Sequence, residues 1–218
     1  MKSAIQTHPF TCQSTFLLPG LLAITLVTGC AAPFADLQGA RLAGKGRMQI
    51  TPSVSTVAGS ANGESEAIQR EYTVQIAGGV AENVELRARY TRVMLAEDSY
   101  SGGGINVIAA GPKFAIRPGR VAVGLPVGFA FADGMVAGET VQFHPTVFVT
   151  VPATQGLEVN VSGKALLPEA ALAVNLGLGL STNLDRWALR PEIGVLKYPG
   201  DDGYIWQASI GLSWNGGP

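Results

Sequence analysis

The residues of this chain with chemistry to offer are few. They are Cys12 and Cys30, His8 and His144, and ten charges set at alternate positions within apolar stretches: Arg47, Glu71, Glu85, Arg87, Arg89, Lys113, Glu158, Lys164, Arg190 and Glu192. An unpaired ion away from water is very costly. Charges on the enclosed face of a sheet must therefore pair with one another as a salt-bridged plug, or line a thin aqueous passage with Arg87 and Arg89 as a basic rung. Both readings stay open on the sequence. His144, in Phe143-His144-Pro145-Thr146, is the one conceivable catalytic centre, but no Ser or Asp stands beside it, and it reads as an interior histidine. Ser101-Gly102-Gly103-Gly104 precedes no helical pattern and is not a phosphate loop. The reading is of a protein that is not an enzyme and needs no cofactor.

The elements that position these residues are strands. In Tyr204–Trp214 the even positions Tyr204, Trp206, Ala208, Ile210, Leu212 and Trp214 are apolar, and Gln207, Ser209, Gly211 and Ser213 stand between them. Strict alternation marks a strand whose two faces meet different surroundings, with aromatics at both ends of the apolar face as for a strand crossing a bilayer. The same period recurs nine times upstream, over about 45–57, 67–77, 84–95, 104–116, 121–131, 140–151, 157–166, 171–181 and 187–197, separated by polar or Gly/Pro turns. Alternation alone also fits a β-sandwich. The faces opposite the apolar ones argue against one: over 121–131 and 171–181 they are almost wholly Gly, Ala, Ser, Asn and Pro, which suit a confined lumen. The expected fold is all-β, an up-and-down antiparallel transmembrane barrel of about ten strands, with eight as the other count. Its apolar faces turn to lipid, and the ten charges and His144 turn inward.

The N-terminal end reads differently. Phe16–Val27 is an apolar core too short to span a bilayer and long enough for a secretory signal. Leu26-Val27-Thr28-Gly29-Cys30 resembles the lipobox of bacterial lipoproteins, which implies cleavage after Gly29 and a lipid on Cys30. The expected layout is a signal over residues 1–29, a linker over 30–44 and the barrel over 45–218. Cleavage would remove Cys12 and His8, leaving one histidine and no free thiol, too few for a metal-ligand cluster. Residues 1–29 hold one of the 15 basic residues and none of the 16 acidic ones, so the remainder carries a net −2 and has no electrostatic grip on nucleic acid.

Charge is sorted by loop. The odd-numbered connections, 59–66, 96–103, 132–139, 167–170 and 198–203, hold nine of the sixteen acids and not one Lys or Arg; the others hold Arg117, Arg120 and Arg186 beside Glu82 and Asp185. The odd loops therefore share one end of one object. At that end the carboxylates are either simply solvated or suited to a divalent cation bridging to lipopolysaccharide. The terminal strand closing on Trp214 and the Gly111-Pro112-Lys113-Phe114 string resemble the small outer-membrane β-barrel superfamily of Gram-negative bacteria, over about residues 45–214. That resemblance implies an outer-membrane location, lipid as the surrounding partner, and a last strand read by the barrel-assembly machinery. Asn215-Gly216-Gly217-Pro218 departs from its usual ending on a terminal aromatic. With the inward charges, the expected function is a structural barrel or a narrow small-solute channel with a charged, partly plugged lumen. The alternative is an anchored lipoprotein with a soluble, lipocalin-like barrel holding an apolar ligand, which would turn the apolar faces inward.

Overall fold

A computed structural model describes residues 33–61, 63–95, 104–132, 140–168 and 170–217. Cys12, Cys30, His8, the signal segment and Glu97, Asp98, Asp133, Glu139 and Glu169 of the acidic loops lie outside the described residues.

Alternating residues with turn chemistry between them give antiparallel neighbours in chain order. The strands are β1 Met48–Ala61, β2 Glu64–Ala81, β3 Val84–Leu95, β4 Gly104–Arg117, β5 Val121–Gly124, β6 Val127–Ala132, β7 Thr140–Phe143, β8 Thr146–Thr154, β9 Leu157–Leu166, β10 Ala171–Leu180, β11 Trp187–Lys197 and β12 Tyr204–Gly216. Each pairs antiparallel with its neighbour, and β12 returns to β1 with Val54 opposite Ile210, so the sheet closes. These twelve pieces make ten staves. β5 and β6 form one, since both pair with β4; β7 and β8 form another. The interruptions fall at Leu125-Pro126 and His144-Pro145, where proline has no N–H to give the ladder. Bonds from Leu125 N to Pro112 O (3.0 Å), His144 N to Pro126 O (3.1 Å) and Ala165 N to Pro145 O (3.1 Å) carry the wall across them.

The two faces sort as a barrel standing in lipid requires. Along β10, Leu172, Val174, Leu176 and Leu178 face outward and Leu176 is 46% exposed, whereas Ala171, Ala173, Asn175, Gly177 and Gly179 are buried. Ile50, Val74, Ile108, Val147, Ile193 and Ile210 continue this apolar belt around the wall. Among the described residues the buried polar and charged ones outnumber the buried hydrophobic ones, and include Thr73, Gln75, Asn160, Ser162, Asn175, Gln207 and Ser213. Apolar outside and polar inside inverts the soluble pattern and fits a transmembrane barrel. A soluble barrel with inward apolar faces, the lipocalin-like alternative, is excluded by this sorting.

The ends of the barrel are unlike. At the turn end lie the start of β1, the end of β12 and the connections at 82–83, 118–120, 155–156 and 181–186. At the loop end lie the β1–β2, β3–β4, β6–β7, β9–β10 and β11–β12 connections. Glu64, Glu66, Asp201 and Asp202 are exposed there, while Arg117, Arg120 and Arg186 are exposed at the turn end.

Candidate functional site: a lumen filled by the chain itself

The expected linker is where the structure departs most from the sequence reading. From Phe34 to Ala43 it lies inside the barrel, and Phe34, Ala35, Asp36, Leu37, Ala40 and Ala43 are buried. A single segment in a lumen has no neighbouring ladder, yet each of its N–H and C=O groups needs a partner where water is excluded. The wall charges supply those partners. Glu192 accepts from Asp36 N and Leu37 N, both at 2.7 Å. Glu85 accepts from Ala43 N at 2.7 Å, and Thr150 Oγ1 from Ala40 N at 2.6 Å. The cations serve the carbonyls. Lys164 donates to Phe34 O (3.0 Å), Arg89 to Ala35 O (2.7 Å), and Lys113 to Gly39 O (2.7 Å) and Arg41 O (3.2 Å). Hydrogen bonds to ionised groups are the stronger kind, so this lining fixes the segment's register as well as its presence.

Side chains of the segment complete the lumen's charge pairing. Asp36 pairs with Lys164 at 2.8 Å and also accepts from Ser162 and Asn175. Arg41 bridges Glu158 (3.2 Å) and Asp185 (2.8 Å), and Arg190 meets the other oxygen of Glu158 at 3.2 Å. Arg87 pairs with Glu85 and donates to Gln49 at 3.1 Å; Lys113 lies 3.5 Å from Glu85 and stands over the Phe148 ring. The fit is close. A side chain at Gly39 would run into Asn160 and Thr150, and one at Gly179 into Glu158. The gap beside Gln38, Asn160, Gly177 and Arg190 has no room for a water molecule. The small wall residues seen in the sequence are thus filled against, by the segment and by Phe148 and Glu158.

Nine of the ten charges read as inward from the sequence face the lumen, and Arg47 does not. It is exposed at the turn end, beside Arg186 and Trp214. Its pattern position suggested the lumen, but the chain leaves the lumen through Gly44 and Gly46, both at positive φ (88° and 73°), and β1 begins only at Met48. That reversal puts Arg47 below the rim. Arg87 and Arg89 form no shared rung, because each has its own partners in the wall and the segment.

Some polar groups lining the lumen are left over by this pairing. Glu71 Oε2, Arg89 Nη2, both amide atoms of Gln142 and His144 Nε2 are buried without a hydrogen-bond partner. Among the described residues no hydroxyl or carboxylate is bonded to His144 Nε2. Sequence reasoning missed Asp36, Gln38 and Arg41. The available signal was two opposite charges inside an otherwise small and apolar stretch.

No family model matches the chain, and no curated protein sequence matches it. Three solved structures illustrate what the chain is similar to. Ail, the attachment invasion locus protein of Yersinia pestis, is 14% identical with a TM-score of 0.37, over 79% of this chain and 99% of that one. Neisserial surface protein A is 10% identical with a TM-score of 0.40, over 78% and 99%. The translocator domain of autotransporter NalP from Neisseria meningitidis is 11% identical with a TM-score of 0.46, over 78% and 88%. At such identities, with TM-scores below 0.5, these likenesses say nothing of what this chain binds; the architecture stands on its own strand pairing.

Proposed function

We propose that this chain is an integral protein of a Gram-negative outer membrane, a structural barrel held shut by its own residues 34–43. The apolar belt and the closed sheet support the membrane reading. The observation that carries the closed state is the matching of wall charges to the backbone of the segment, with Glu192 on two N–H groups and Lys113 on two carbonyls. On this reading the chain is exported through a cleaved signal over residues 1–29 and anchored through a lipid on Cys30. Glu64, Glu66, Asp201 and Asp202 hold divalent cations against lipopolysaccharide, and β12, closing on Trp214, is the strand the barrel-assembly machinery reads.

A narrow small-solute channel is the second reading. The unsatisfied atoms Glu71 Oε2, Arg89 Nη2, Gln142 Nε2 and Oε1 and His144 Nε2 favour it, since they are buried polar groups that the segment does not bond. Planar-bilayer recordings separate the two. The full chain is expected to be closed, and a chain lacking residues 34–43 to conduct. Steady conductance by the full chain, unchanged by the deletion, would overturn the closed-barrel reading in favour of the channel.

A further inference from the structure

The lumen segment has a direction. Phe34 sits at the loop end in an apolar collar with Val57, Leu166, Ala171, Ala173 and Leu196, against which Ile68, Tyr198 and Ile205 also pack. Asp36 lies at mid-height, bonded to Ser162 and Lys164. Arg41 reaches Asp185 and Ala43 reaches Glu85, both at the turn end. The segment's contacts run from the loop-end collar to the turn end, one pass through the wall, with Leu37 at positive φ (53°) on the way. The chain therefore enters the lumen from the loop end, descends once, reverses at Gly44–Gly46 and starts β1 upward.

We propose that the barrel presents the polypeptide preceding Pro33 on the outer face of the membrane, so that this chain carries its own N-terminal end across the membrane it spans. The proposal rests on the outer-membrane reading above, which puts the loop end outside.

Two alternatives to that exit fail on physical grounds. A return to the turn end through the lumen would have to pass where residues 34–43 already leave no room for water beside Gly177 and Arg190. A return along the outer wall would put unpaired backbone groups into lipid, which does not occur. Reach decides the placement of Cys30 as well. Three residues span at most about 10 Å, well short of the roughly 25 Å lipid-facing band, so a lipid on Cys30 would lie in the outer leaflet and not the inner one.

The test is antibody access on cells making the full chain, with one epitope inserted singly at three places: between Ala32 and Pro33, in the β1–β2 hairpin at Gly63, and in the β4–β5 turn at Gly119. A heat-modifiable band shows that each variant has folded. The expected result is that the tag before Pro33 and the hairpin tag are read on intact cells, and the turn tag only after permeabilisation. If the hairpin tag is read on intact cells while the tag before Pro33 needs permeabilisation, the proposal falls and the barrel reading stands. If the hairpin tag is itself unread on intact cells, both fall. Should the first tag block folding, Ala32→Cys with Cys30 retained replaces it. Labelling by a membrane-impermeant maleimide on intact cells supports the proposal, and labelling only after permeabilisation overturns it.

Discussion

Glu192→Gln tests the lumen lining where it is most concentrated. The carboxylate of Glu192 takes two backbone N–H groups of the segment at 2.7 Å, while Gln207 donates to it from the neighbouring strand at 3.3 Å. Each bond to an ionised acceptor contributes about 1.5–3 kcal/mol, and a neutral one about 0.5–1.5. The amide keeps one acceptor and turns a donor toward the other N–H, so the seated segment is expected to lose roughly 2–4 kcal/mol. At about 1.4 kcal/mol per tenfold change, its displaced population rises roughly 30- to 700-fold. Planar-bilayer recordings should show openings more frequent by that factor, and thermal unfolding in detergent should move to lower temperature. Glu82→Gln, exposed in the β2–β3 turn, is the control and should change neither. A Glu192→Gln protein as silent and as heat-stable as the parent would refute the idea that this carboxylate seats the segment.

Three other perturbations probe separate parts of the account. Gly39→Val puts a branched side chain against Asn160 and Thr150, and should unseat the segment while the barrel still assembles, read as conductance together with a retained heat-modifiable band. Leu176→Arg places a charge on the lipid face of β10 and should cost about 2–4 kcal/mol near the midplane; equal denaturant midpoints in lipid for the variant and the parent would contradict the outward assignment. Glu158→Ala strips Arg190 and Arg41 of their shared carboxylate. Breaking such a buried pair costs roughly 3–5 kcal/mol, which a thermal scan of the detergent-solubilised protein would register.

The barrel wall was legible because its code is local. A period of two forces successive side chains to opposite faces, so Gly177 and Gly179 against Leu176 and Leu178 already distinguished lumen from lipid. The strand breaks at Pro126 and Pro145 keep the alternation of their staves, whereas the register shift at Val57/Ala58 buries both residues and turns the even positions of β1 inward there. The nine lumen charges came from the same rule. Arg47 failed because the rule has no knowledge of where a strand begins.

What the amino-acid order determined by itself was therefore the face of nearly every wall residue, since each face depends only on the residue's own parity. What only the tertiary structure decided was what those inward charges bind. Phe34–Ala43 has no period to betray it, and its partners lie far along the chain: Glu192 is 156 residues from Asp36, and Thr150 is 110 from Ala40. A segment without a strand beside it takes its backbone partners from whatever encloses it, and the enclosure exists only once β12 has closed on β1.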